Sequence, residues 1–138
     1  MSKGSDEAIG GKGSVRPDLG PYLGQRVRVV VDRPLGSCHP AHPNIRYPVN
    51  YGYLPGTVDG DGEPIDAYLV GPDRPVAEAT GVVIAVVRRA DDVEDKLVVA
   101  TDGRARPAAE IAASIAFQER FFASRIEVLP VEALGALG

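Results

Sequence analysis

The sequence predicts a mainly β (α+β) domain, a small closed or nearly closed barrel of five to six short strands with one C-terminal helix packed against it. Three observations carry this. Short runs rich in β-branched and aromatic residues recur between turns rich in Gly and Pro. One of them, Gly81–Arg89 (GVVIAVVRR), is almost continuously apolar, as a central strand should be. Only one segment, beginning at Pro107, switches to an alanine-rich pattern with helical spacing.

Taken in order, residues 1–20 are rich in Gly, Ser and charge and read as a disordered leader. The single domain is expected over 21–138, with order beginning near Gln25. Gln25–Asp32 (QRVRVVVD) reads as the first strand. Arg33–Asn44 contains Pro34, Gly36, Pro40 and Pro43 and is expected to be a loop. Arg46–Leu54 reads as a second strand despite Pro48. Pro55–Pro64 is an acidic, glycine-rich turn, and Ile65–Gly71 (IDAYLVG) the third strand. After Gly81–Arg89, an acidic turn over Ala90–Asp95 leads back into Lys96–Thr101 (KLVVAT) as a hairpin partner. From Pro107, a proline at the first turn and apolar Ile111, Ile115, Phe117 and Phe121 predict the helix. Arg125–Leu129 is expected to be a closing strand.

Composition narrows the function. Hydrophobic residues are 44% and charged residues 25% of 138, an ordinary globular mix that can bury a core without staples. The single cysteine, Cys38, rules out an internal disulfide and fits a reducing, cytoplasmic setting. No apolar run approaches the length of a membrane span, so no membrane partner is expected. Net charge is −4 and the isoelectric point about 5.1, which argues against nucleic acid, whose backbone rewards clustered Lys and Arg. A small anionic substrate stays compatible if metal ions supply positive charge locally.

The strongest chemical signal is Asp59-Gly-Asp61-Gly-Glu63-Pro-Ile-Asp66, whose glycines and proline keep it out of a helix. Carboxylates packed this closely repel one another unless cations neutralise them, and hard divalent ions such as Mg²⁺ take oxygen ligands of this kind. A second acidic run, Asp91-Asp92-Val93-Glu94-Asp95, ends at Lys96. If both turns meet at one end of the barrel they can hold metals that clamp a phosphoanhydride for in-line attack. The plainer alternative is that both are solvated turns, the common fate of Asp-Gly segments. An EF-hand is excluded because Pro64 occupies the position where that loop needs glycine.

Tyr47-Pro-Val-Asn-Tyr51-Gly-Tyr53, followed by Asp61-Gly-Glu63-Pro-Ile-Asp66 and later by Glu94-Asp95-Lys96-Leu-Val-Val, resembles the soluble (family I) inorganic pyrophosphatases. The likeness covers roughly residues 25–130. It implies an OB-like β-barrel, a Mg²⁺ requirement, hydrolysis of pyrophosphate to two phosphates and assembly into a homo-oligomer. Position by position, Asp61 and Asp66 match metal ligands, with Asp92 and Asp95 as candidates for the second pair and Glu94 as a possible replacement for one of them. Glu63 matches the aspartate that helps generate the nucleophilic water. Lys96 and Tyr51 match phosphate-contacting residues with catalytic roles, and Tyr47 lies close to that site. Arg28 or Arg33 is expected to supply the basic substrate contact.

The sequence also departs from that pattern. Glu63 is one methylene longer than the family's aspartate, and Phe121-Phe122 stands where the family has a Tyr-Lys pair. The alternatives are therefore a hydrolase of another phosphoanhydride, with the compact Arg33–Pro43 loop opening the pocket to nucleotides or organic diphosphates, or a weakened phosphate-binding module. His39 and His42, each before a proline, read more simply as a surface loop than as anion ligands standing in, with Ser37, for a missing arginine. Cys38 beside His39 lacks a third orienting group and is not expected to be a nucleophile. Arg88, Arg89, Arg104 and Arg106 read as solvated ends, Tyr68 as core or rim, and Phe117, Phe121 and Phe122 as packing.

Overall fold

The computed structural model describes residues 18–90 and 94–130. Its strands are β1 (Arg26–Arg33), β2 (Asn50–Tyr53), β3 (Asp66–Val70), β4 (Glu78–Arg89), β5 (Lys96–Ala100) and β6 (Ser124–Val128), with one helix, α1 (Ala108–Glu119), before β6. The strand order is β1-β2-β3-β5-β4-β6, and β1 also pairs with β4. That extra pairing closes β1, β2, β3, β5 and β4 into a five-stranded OB-like barrel. Closure is possible because β4 is long enough to serve three partners. Its first residues pair with β1, Val82–Val87 with β5 and Ala85–Arg89 with β6. The expected closing strand near Arg125–Leu129 exists, but it lies outside the barrel on the far end of β4; the apolar β4 itself makes the closure.

Alternation along the strands sorts the core into two layers. Val29, Ala67, Leu69, Val83, Val86, Leu97 and Val99, with Leu54 just past β2, fill the barrel. The opposite faces of the same strands carry Tyr51, Tyr68, Val70, Ile84, Val87 and Val98, which pack under Ile111 and Ile115 of α1. Gly52 on β2 is required by closure, since a Cβ there would stand 1.9 Å from the Val30 carbonyl oxygen on β1. Order begins earlier than Gln25: Leu19 is buried in the barrel and Gly20–Tyr22 forms a 3₁₀ turn. Residues 1–17 of the expected leader lie outside the described residues.

The Arg33–Asn44 loop is pinned on both sides. Backbone bonds run from Gly36 N–H to the Tyr47 carbonyl, from Tyr47 N–H to Ser37 and from His39 N–H to Ile45. The buried Asn50 side chain accepts from Leu35 N–H (3.0 Å) and Val76 N–H (3.2 Å) and donates to the Arg74 carbonyl (3.0 Å). These bonds fix the loop beside the start of β2. Among the described residues no helix is long and apolar enough to cross a membrane.

Candidate active site

The outer, helix-facing positions of the barrel carry the chemistry. Leu97 points inward, so its neighbour Lys96 points outward; Ala67 points inward, so Asp66 points outward. Tyr51 lies on the same face and pairs with Tyr68 across β2 and β3. The three side chains meet. Lys96 Nζ, with its side chain 3% exposed, donates to Tyr51 Oη (2.6 Å), Asp66 Oδ2 (3.1 Å) and Glu94 Oε1 (2.7 Å). Tyr51 Oη–H donates to Asp66 Oδ2 at 2.8 Å. All three protons of the ammonium group are thus engaged.

This lysine joins the two acidic turns. Glu94 also shares a hydrogen bond with Asp61: burial and that bond raise the Glu94 ionisation, while the same bond lowers that of Asp61. Of the two, Glu94 is the weaker acid. Asp61 sits in a loop braced by its own backbone, with Glu63 N–H donating to Asp61 Oδ1 (2.9 Å) and Asp59 N–H to the Glu63 carbonyl (2.7 Å). Glu63 itself is exposed.

Asp95 does not share the Lys96 side. Alternation turns it to the opposite face, where it is buried, accepts from Arg89 N–H (3.1 Å) and lies 3.8 Å from Arg88 Nη1. The structure thus puts Glu94, rather than Asp95, beside Asp61 and Lys96. Counting back by two from Lys96 gives the same answer and was a signal available in the sequence. Asp92 lies outside the described residues. Arg28 is on the surface in an ion pair with Glu78 (2.7 Å), away from the cluster. Arg33 is the arginine that reaches it. It donates to Tyr47 Oη (2.6 Å) and lies over the Tyr47 and Tyr51 rings at 5.8 and 5.4 Å. Tyr47 is fully buried, and its hydroxyl donates to Gln118 Oε1 (2.9 Å).

Three further groups had no role in the sequence reading: Asp32, Arg89 and, though part of the acidic run, Asp59. Asp32, at the β1 bulge, and the buried Asp59 are both raised chiefly by burial and also feel acids of the cluster, Asp66 and Asp61 respectively. Arg89, read as a solvated strand end, is 4% exposed and lines the cleft. It donates to Glu119 Oε2 (2.7 Å) and lies 3.7 Å from the Phe122 ring centroid. Burial would lower its ionisation, but the Glu119 hydrogen bond and charge outweigh burial and raise it. The helix pattern Ile111, Ile115, Gln118, Glu119 put all four on the buried stripe, which could have revealed the pair. Ser37 turns into its own loop, donating to the Pro34 carbonyl (2.6 Å), and exposed Cys38 takes no part in the cluster.

A cleft of about 720 Å³ opens onto this face, walled by the Arg33–Asn44 loop on one side and the end of α1 on the other. Lys96, Arg33, Arg89 and Arg120 give it four cations. Its chemistry is that of a phosphate pocket edged by carboxylates.

Residues 24–122 match the family model described as inorganic pyrophosphatase. The chain belongs to the inorganic pyrophosphatase family. This pyrophosphatase-family chain is 36% identical over 94 residues to the inorganic pyrophosphatase of Haemophilus influenzae, covering 52% of each chain. It is 39% identical over 52 residues to that of Mesorhizobium japonicum, covering 36% of this chain and 29% of the relative. The matched stretches thus span about half of the first relative's length and less than a third of the second's. Its fold is that of the Ehrlichia chaffeensis inorganic pyrophosphatase, with a TM-score of 0.61 at 17% identity over 83% of this chain and 92% of that one. The Neisseria gonorrhoeae inorganic pyrophosphatase gives 0.54 at 23% identity over 87% and 94%.

Proposed function

We propose that the chain hydrolyses inorganic pyrophosphate to two phosphates in a Mg²⁺-dependent reaction. The observation that carries the reading is Lys96 bridging Tyr51, Asp66 and Glu94, because it brings two acidic turns, distant in sequence, to one cleft.

The donor set fits Mg²⁺. Asp61 and Glu94 come from different turns and are close enough to shift each other's ionisation, a place a divalent cation takes well. Among the described residues no three acidic, His or Cys side chains converge on a single point. Mg²⁺ does not ask for that, since it is commonly held by one or two carboxylates, water and substrate phosphate oxygens. Asp61, Glu94 and Asp66 would hold it, with Asp92 joining from beyond the described residues and Glu94 taking the place assigned to Asp95. When bound, it supplies charge neutralisation and a more acidic water.

The chain's own residues do the rest. Lys96, Tyr51 and Arg33 donate to phosphate oxygens, and Lys96 exchanges its carboxylate partners for the substrate as it does so. The Tyr51 hydroxyl is pushed up by burial and by Asp66, so it stays protonated and serves as a donor. Tyr47 acts through Arg33, which it orients. Exposed Glu63, two residues from Asp61, accepts the proton of the attacking water. The same reading carries a cytoplasmic role and a self-assembling chain, which sedimentation of the purified protein would check.

Phosphate release from pyrophosphate, measured with Mg²⁺ and with chelator beside an Asp66→Asn variant, tests the proposal. Release should require the metal and fall at least about 10²-fold in the variant, the scale of losing one positioned electrostatic group. No release by a clean preparation at millimolar Mg²⁺ would falsify it.

A further inference from the structure

The cleft is larger than its phosphate end needs. Pyrophosphate is two phosphorus atoms and their oxygens, while a cleft of about 720 Å³ lies in the range, roughly 300–1,000 Å³, that holds organic ligands. Exposure divides it into two halves. Lys96 and Tyr51 at the floor are buried, whereas Phe121 on the outer wall is 60% exposed and Phe122 37% exposed. Phenylalanine is ordinarily an interior residue, and an exposed pair at a cleft mouth marks a contact surface. The expectation that these two rings are simple packing is corrected here: only Phe117 packs on the core. Facing them, the loop supplies two more rings, His39 and His42, with centroids 5.0 Å apart. The His39 ring is held flat against Tyr47, at 6.3 Å and 12°. Its Nδ1 accepts from Ala41 N–H at 3.0 Å, which fixes its orientation. Burial, Arg33 and His42 together lower its ionisation, so it presents a neutral ring.

We propose that the cleft takes a nucleoside diphosphate, with the phosphoanhydride on Lys96, Tyr51 and Arg33 and the base between Phe121 and the His39–His42 pair. The inference rests on the phosphoanhydride-hydrolase reading above and names its substrate class. A flat heterocycle suits these walls better than an aliphatic chain, because the walls carry separate rings among polar groups rather than a continuous apolar groove. Every base offers a π face to such a platform. Arg120, 5.0 Å from the Phe121 ring centroid, and exposed Asn44 leave polar groups at the mouth for the sugar or the base edge. In the reaction, the water oxygen bonds to the terminal phosphorus and the bond from that phosphorus to the bridging oxygen breaks. The electron pair stays on the bridging oxygen of the nucleoside monophosphate, and the water's proton passes to Glu63 and then to solvent.

The experiment compares phosphate release with Mg²⁺ from ADP, ethyl diphosphate and pyrophosphate, in the unaltered chain and in Phe121→Ala. Phe121 is exposed, so this variant should fold. The ADP value of kcat/KM should exceed that of ethyl diphosphate about tenfold, and Phe121→Ala should remove that advantage. The other two substrates should change less than twofold. His42→Ala should lower the ADP value in the same direction by less. Equal values for ADP and ethyl diphosphate, or an ADP value indifferent to Phe121→Ala, would overturn the proposal. If none of the three releases phosphate, the hydrolase reading fails on its own. Calorimetry of α,β-methylene-ADP against methylenediphosphonate then decides the base site. A Phe121-dependent preference for the nucleotide analogue supports it and equal affinity overturns it.

Discussion

Two buried cations sit on the same face of the barrel and are held in opposite ways. Arg89 pairs with Glu119, and both side chains are almost fully buried, at 4% and 5% exposure. Glu119 also accepts from Tyr68 Oη, whose hydroxyl accepts in turn from Gln118 Nε2 at 2.8 Å. Lys96 is equally buried, but its partners Asp66 and Glu94 are 33% and 21% exposed at the cleft. A pair with both ends dry cannot separate without leaving a desolvated charge, and such a pair fixes geometry. A cation whose partners are wet can trade them for a phosphate oxygen, because water receives the released carboxylates. The Arg89 pair is therefore the frame that seats the end of α1 against the barrel, and under the proposed function the Lys96 cluster is the part that meets substrate.

The largest expected effects come from breaking each network separately. Glu119→Gln should destabilise the fold by about 3–5 kcal/mol, the usual loss when one member of a buried pair is removed. Urea unfolding should show it as a lower midpoint. Replacing both partners, Arg89→Met with Glu119→Leu, should recover most of that loss. Lys96→Met should do the reverse: a small change in the unfolding midpoint, with pyrophosphate turnover lowered about 10²–10³-fold. Matching stability losses in the two single variants would erase the distinction between frame and reactive cluster.

A second prediction uses pH to separate the acids of the cluster from the frame. Asp32, Asp59 and Glu94 are all raised, each chiefly by burial. A carboxyl whose folded ionisation is raised favours folding while it is protonated. Its contribution is complete below the unfolded value and is lost as pH rises through the folded one. Asp61 is lowered and runs the other way, losing its contribution as pH falls through its folded value. The contribution of Asp32, Asp59 and Glu94 to the stability of the metal-free protein should therefore fall as pH climbs from the acid range toward neutrality. Mg²⁺ binds the ionised carboxylates, so it should raise the melting temperature more at pH 8 than at pH 5. Glu94→Gln should flatten both dependences. An equal Mg²⁺ shift at the two pH values would place the metal away from these acids.

Much of this frame was legible in the sequence, and the illegible parts have identifiable causes. The apolar run of β4, the Tyr47–Asp66 motif and the helix after Pro107 are local patterns, and local patterns survive folding. Barrel closure was read from the wrong strand because it depends on which partner the twelve-residue β4 meets at each end, a non-local fact. Glu94 and Asp95 differ by one position, which in a strand means opposite faces. Arg89 looked like a solvated end because its neutralising partner is thirty residues away on another element. Phe121 and Phe122 looked like core because they follow an apolar helical stripe, but α1 stops at Glu119 and leaves them at the cleft mouth.

The finest test exchanges a single oxygen in each network. Tyr51 and Tyr68 are cross-strand partners whose rings meet edge to face at 5.0 Å. Each hydroxyl serves one network: Tyr51 the Lys96 cluster, Tyr68 the Arg89 frame. Removing the Tyr51 hydroxyl leaves Lys96 and Asp66 near water that can replace it, so Tyr51→Phe should cost little stability. It should lower pyrophosphate turnover about tenfold, the worth of one charged hydrogen bond at roughly 1.5 kcal/mol. Removing the Tyr68 hydroxyl leaves Gln118 and Glu119, both buried, short of a partner. Tyr68→Phe should therefore lower stability by about 1–3 kcal/mol and leave turnover of the folded protein within about twofold. If the two variants exchanged these outcomes, the exposure of a cation's partners would not be what decides which network reacts.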